Sequence, residues 1–177
     1  ARRFRVCPFE FSLDLSLWAD AVIGDYNYAF DPQAYLRRFF LEETAAYTFL
    51  VDEAHNLVER AREMFSAELG KQPVLDLRRA VKDALPALYR RLGRINRWML
   101  AARKRCEEAA APIADRAPPE ELLPLLREFL QAAEQWLEKN VKSPFREALL
   151  EFYFASGNFL RVADQFDEAY ATCTEAL

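Results

Sequence analysis

The spacing of apolar positions along the chain changes near Asn56. Upstream, short continuous apolar runs meet polar turns, whereas downstream the apolar residues recur at helical intervals between prolines. From Trp18 to Phe30 the run WADAVIGDYNYAF mixes β-branched and aromatic residues and stops at Asp31-Pro32, which predicts a buried strand over Ala21 to Gly24. Asp31 and Pro32 then supply the N-cap and first residue of a helix, DPQAYLRRFFLEETAAY. Its Tyr35, Leu36 and Phe39 share one face, and it ends near Tyr47. The next run, Tyr47 to Val51, is apolar and meets charge at Asp52-Glu53, the pattern of a central parallel strand delivering acids at its carboxyl end. Two strands with a helix between them read as a βαβ fragment. Such strands rely on sheet neighbours that this stretch of chain lacks.

Beyond Asn56 no run reads as strand. Residues 56 to 69 predict one helix, and a second is expected from about Val74 to Ala110. Pro86 should kink it, because an interior proline removes an i to i−4 hydrogen bond. Unbroken, that helix would span roughly 50 Å. Pro118-Pro119-Glu120-Glu121 is a helix start, with proline early and carboxylates near the positive end of the dipole, leading into LLPLLREFLQAAEQWLEKN. Ser143-Pro144 opens the last segment, where Phe152, Phe159, Val162, Phe166 and Tyr170 form an apolar stripe and Gly157 is a candidate break. The pattern predicts a mainly α chain, an antiparallel bundle growing from a small strand-containing base.

Composition agrees with that picture. At 177 residues, 52% hydrophobic and 29% charged, the chain is long and apolar enough to bury a core, and only four glycines interrupt abundant Ala, Leu, Glu and Arg. Three cysteines without a pairing pattern, Cys7, Cys106 and Cys173, argue against a disulfide scaffold and fit a reducing, cytoplasmic setting. No apolar stretch approaches the roughly 20 residues that span a bilayer, so a soluble chain with no membrane partner is expected. The net charge of −4 conceals an asymmetry: residues 78 to 105 hold ten basic side chains and one acid, Asp83. That segment is suited to an anionic partner.

The sharpest chemical signal is Phe49-Leu50-Val51-Asp52-Glu53-Ala54-His55-Asn56. An apolar strand ending in Asp-Glu-Ala-His would place two acids where a nucleotide could sit. Upstream, Cys7-Pro8-Phe9-Glu10 and then Ala19-Asp20-Ala21-Val22-Ile23-Gly24-Asp25-Tyr26-Asn27-Tyr28 precede it. In this order and at this spacing the three elements resemble the iron–sulfur DNA helicases of the XPD/DinG family. There a Cys-Pro closes the cluster domain, an apolar strand ends in a YNY turn, and DEAHN follows.

The resemblance covers the chain strongly to Asn56 and only architecturally beyond it. It implies that residues 1–17 end an iron–sulfur domain, residues 18–56 are a βα(β) fragment of a RecA-like motor lobe, and residues 57–177 are the inserted helical Arch. By the same likeness Asp52 orients Mg2+, Glu53 polarises the water that attacks ATP, and His55 couples nucleotide state to the neighbouring lobe. Cys7 would be the fourth ligand of a [4Fe–4S] cluster whose other three ligands are missing here, since Cys106 and Cys173 stand at other positions. No G-x-x-x-x-G-K-[ST] phosphate loop occurs, so this stretch is not expected to turn over ATP or to hold a complete cluster by itself.

The basic segment is the second candidate. On a helix Arg90, Arg94 and Arg97 fall on one face, with Arg91 beside them and Tyr89 and Trp98 interleaved. Binders of single-stranded DNA combine a positive track for phosphates with aromatic planes for bases. In the family the Arch flanks the opening through which single-stranded DNA passes, and it offers a surface for protein partners. The alternative is an exposed helix whose arginines pair with the acidic segment at 120 to 138, with Trp98 and Leu100 in the core. Tyr26 and Asn27, in a turn after a buried strand, would lie at the ligand-facing edge of the sheet, near DNA or nucleotide. A competing reading of the whole chain is a non-enzymatic helical interaction module with a basic docking helix. A zinc hydrolase is a poor fit, because one histidine and scattered cysteines supply no closed ligand set.

Overall fold

The computed structural model describes residues 6–32, 36–40, 47–139 and 142–176, which divide into two compact units at Met64–Phe65. The amino-terminal unit contains α1 (Pro8–Ser16), α2 (Asn27–Phe30), α3 (Arg37–Phe40), a 3-10 turn (Ala54–Asn56) and α4 (Leu57–Met64). The carboxyl-terminal unit contains α5 (Lys71–Ala80), α6 (Pro86–Ala109), β1 (Ile113–Asp115), α7 (Leu122–Leu137), α8 (Arg146–Ala163) and β2 (Thr172–Thr174). The chain is mainly helical, as the periodicity predicts.

In the amino-terminal unit the two predicted strands do not form: residues 21–25 and 47–51 are irregular. A strand is stable only when its N–H and C=O groups find partners and one face is covered. Here Ile23 is fully exposed, Leu50 is 96% exposed and Trp18 89% exposed, and Leu13 is the single buried residue described in the unit. Beside its short helices, the unit is joined by aromatic contacts. Phe49 lies 5.9 Å from both Phe30 and Phe40, and Phe40 packs edge-on against Tyr47 at 5.6 Å. The helix expected to run from Asp31 to Tyr47 falls partly outside the described residues. Within them α3 covers only Arg37–Phe40.

The carboxyl-terminal unit is a four-helix bundle with one core. Val74, Leu77 and Val81 meet Leu88, Leu92 and Ile95 from α6, Leu126 and Phe129 from α7, and Leu149 and Phe152 from α8. The Phe129 and Phe152 rings are tilted at 60° with centroids 5.0 Å apart. The helix predicted from Val74 to Ala110 is two helices, broken rather than kinked at Pro86. Leu85, just before the proline, leaves the helical region (φ −134°, ψ 73°), as the proline ring demands of its predecessor, and Pro86 becomes the first residue of α6. α6 ends where Ala110 adopts a left-handed conformation (φ 54°).

α7 begins after Pro118-Pro119 as expected, the Pro119 carbonyl accepting the Leu122 amide at 2.8 Å. Gly157 does not break α8. The helix runs through it and stops at Ala163, so Phe166 and Tyr170 lie beyond its end and stack on each other at 5.5 Å. The unpredicted strands β1 and β2 pair antiparallel, Ile113 with Thr174 and Asp115 with Thr172. Thr172 Oγ1 donates to the Ala117 carbonyl at 2.8 Å, and the buried Cys106 thiol donates to the Thr174 carbonyl at 3.2 Å. The first ties β2 to the segment before α7 and the second ties it to the last turn of α6. No helix described is long and apolar enough to cross a membrane.

Candidate functional site

The acids of the Asp-Glu-Ala-His run sit in a surface turn rather than at the end of a strand. Asp52 Oδ1 accepts the Glu53 amide at 2.9 Å, and Glu53 is left-handed (φ 51°, ψ 36°), a conformation that costs a side-chain-bearing residue roughly 1–2 kcal/mol. Glu53 Oε2 lies 3.3 Å from His55 Nε2, and both side chains are largely exposed. Glu53 and His55 are therefore neighbours, while Asp52 is turned toward its own backbone. The two carboxylates are open to solvent and free of lysine and arginine partners among the described residues.

Tyr26 and Asn27 do not follow a strand. Tyr26 precedes α2 and Asn27 opens it, its amide held by Asp25 Oδ1 at 2.9 Å. Arg60 of α4 is held above its ordinary pKa, chiefly by its hydrogen bond and charge pairing with Glu63, at 2.9 Å, and to a smaller degree by Tyr26. Cys7 is exposed at the N-cap of α1. Cys106 is buried in α6 and Cys173 is exposed on β2. Among the described residues no group of three His, Cys, Asp or Glu side chains could hold a metal. A four-thiolate cluster does not fit the residues of this chain alone.

The basic residues of α6 sort into two kinds. Leu88, Leu92, Ile95, Met99, Ala102 and Cys106 bury one stripe, which places Arg90, Arg94, Arg97 and Lys104 on the opposite, exposed face. Arg94 forms an ion pair and hydrogen bond with Glu128 of α7. Arg103 and Lys104 pair with Glu107 and Glu108 one turn on, at 2.6 and 3.5 Å. Arg91 is half-buried and donates to the Ala87 carbonyl at 3.3 Å. Arg90 and Arg97 make no ion pair with a described residue. The competing expectation of arginines satisfied by the acidic helix is met at Arg94 and not at these two.

Trp98 is half-buried against the core, where it lines an open groove of about 540 Å3 together with Phe159, Phe166 and Tyr170. Leu100, expected in the core with it, is 45% exposed. Trp98, one turn after Arg94, lies at the border between the buried stripe and the arginine face, with part of its ring packed on the core.

One arrangement escapes a linear reading. Arg78 of α5 lies over the Tyr89 ring, 4.3 Å from its centroid, and its NH2 donates to Tyr89 Oη at 2.9 Å. Reading 74–110 as one rod put Arg78 three turns away from Tyr89. The proline at 86 was the signal that could have folded the two helices back on each other.

The comparisons add the family. The DEAD_2 family model matches residues 1–74, a span that includes the Cys-Pro, YNY and DEAHN elements. The chain is 35% identical over 65 residues to the Fanconi anemia group J protein homolog of Gallus gallus, which covers 37% of this chain and 5% of that relative. The chain thus spans about 5% of the length of the curated relative it matches. No solved structure matches significantly. By the family match and the likeness to that relative, residues 1–74 are a segment of the DEAD_2, XPD-type helicase family.

Proposed function

We propose that this chain is part of an ATP-dependent DNA helicase that tracks 5′ to 3′ on single strands in DNA repair or replication. The observation that carries the proposal is the family match over residues 1–74, which contains the Asp-Glu-Ala-His run in family order. Residues 1–17 then belong to the iron–sulfur domain, 18–56 to the motor lobe and 57–177 to an Arch that gates or contacts single-stranded DNA and docks protein partners.

ATP with Mg2+ supplies the phosphoryl transfer that drives such a motor. In this reading the Asp52 carboxylate would hold the hydrated cation, Glu53 would accept a hydrogen bond from the attacking water, and His55, in contact with Glu53, would couple nucleotide state to the neighbouring lobe. The exposed apolar runs at 18–23 and 47–50 are what two strands of a motor sheet would present when separated from their neighbours. Arg90 and Arg97 are the residues best placed to meet phosphates, with Arg91, Arg94 and Trp98 secondary.

The test is Glu53→Gln in the intact helicase. DNA-stimulated ATP hydrolysis should fall at least about 100-fold, within the range expected for loss of a positioned general base, while ATP binding persists. Retained turnover would remove the catalytic assignment.

A further inference from the structure

Gly93 is flanked on the surface of α6 by Arg90, three residues before it, and Arg97, four residues after it. Residues so spaced on a helix are surface neighbours, with Cβ atoms about 5–6 Å apart. Arg78 crosses from α5 over the same spot: a Cβ built on Gly93 would stand 3.5 Å from Arg78 Nε and 4.0 Å from its NH2. A Cβ there would make ordinary van der Waals contact with the guanidinium, so Arg78 lies directly against the backbone of α6 at Gly93. The guanidinium plane is fixed by the Tyr89 ring and hydroxyl, and its Nε is buried without a hydrogen-bond partner.

Arg90 and Arg97 thus border the residue against which Arg78 lies, and none of the three has a carboxylate partner among the described residues. Asp83, the only acid between positions 78 and 105, forms no ion pair with them there. Like charges on neighbouring surface positions repel, and a shared anion relieves the repulsion while gaining charge-assisted hydrogen bonds.

We propose that Arg78, Arg90 and Arg97 converge around Gly93 to form a phosphate-binding site. Its ligand is a phosphate group, supplied either by the backbone of single-stranded DNA or as a free ion. The DNA version rests on the Arch reading above; the anion site itself does not. Arg78 is the organising member, because it alone is pre-oriented by packing, and a planar fork held flat on an aromatic ring loses little entropy when it binds.

The test uses the whole 177-residue chain in two arms. In the first, NMR of the arginine side-chain Nε–H groups follows a titration with inorganic phosphate, and the Arg78 signal should shift and saturate. In the second, anisotropy of a labelled single-stranded oligonucleotide is read from about 50 to about 200 mM salt. Arg78→Ala should lower the slope of log affinity against log salt by about 0.7, the value of one phosphate contact on a single strand.

Arg78→Lys keeps the charge but not the fork, and should restore less than half of the lost affinity. Circular dichroism establishes that each variant is folded. If Arg78→Ala does not fold, Arg97→Ala on the exposed face replaces it and should lower the slope and weaken the phosphate response of Arg78. An Arg78 signal unmoved by phosphate, or an unchanged slope in a folded variant, overturns the site. If Arg78 responds to phosphate while the native chain binds no oligonucleotide at any salt, the anion site stands and the DNA-contact reading falls.

Discussion

The Arg94–Glu128 pair sets up a competition that can be measured. Both side chains are 44% exposed, so the pair contributes about 0.2–1 kcal/mol to stability, the range of solvent-screened ion pairs. Glu128→Gln keeps the shape and removes the charge, so the bundle should lose no more than that amount. For a nucleic acid the effect has the opposite sign. In the native chain Arg94 must release Glu128 before it can meet a phosphate, whereas in Glu128→Gln it is free alongside Arg90 and Arg97. One added phosphate contact steepens the salt dependence by about 0.7, which is about a 2.5-fold larger change in affinity between 50 and 200 mM salt.

The assay is oligonucleotide anisotropy across that salt range, with urea denaturation run in parallel. Glu128→Gln should bind more tightly at low salt with a steeper slope, and Arg94→Ala should cost less affinity than Arg97→Ala. Unchanged or weaker binding by Glu128→Gln, with Arg97→Ala still harmful, would refute the idea that the interhelical pair withholds Arg94 from DNA.

Two further outcomes follow from the bundle. Phe129 is fully buried against Phe152, so Phe129→Ala should cost about 3–5 kcal/mol in urea denaturation, from lost transfer energy, a cavity and the broken ring pair; a loss below about 1 kcal/mol would show that the α7–α8 core is not packed as described. The Tyr153 phenol is raised above its ordinary pKa of about 10, first by burial and then by the charges of Glu134 and Glu138. The folded chain therefore keeps a proton that the unfolded chain has already released. Its contribution to stability is intact below pH about 10 and is lost as pH rises through the folded value. Tyr153→Phe should flatten that alkaline loss in denaturation midpoints compared across pH, and an identical loss in the variant would contradict it.

Much of the bundle is legible in the linear pattern because its determinants are local. Prolines cannot lie inside a helix without cost, so Pro86 and Pro118-Pro119 mark where α6 and α7 begin. The stripe from Leu88 to Cys106 likewise fixes which face of α6 is buried and leaves its arginines outside. The order of Cys-Pro, YNY and DEAHN is a property of sequence as such, and the family follows from it.

The remainder depends on partners distant along the chain. The runs at Ala21 and Phe49 carry the composition of strands, yet a strand is made by its neighbours, and without them the same residues lie irregular and exposed. Conversely, β1 and β2 are only three residues each, too short to announce themselves by alternation, and they exist because the end of the chain returns to pair Ile113 with Thr174. Which arginines are free is settled in the same way. Glu128 reaches Arg94 across a helix interface, and Arg78 reaches Tyr89 because the chain reverses at Pro86. Periodicity places a charge on a face, but only packing decides what stands opposite it.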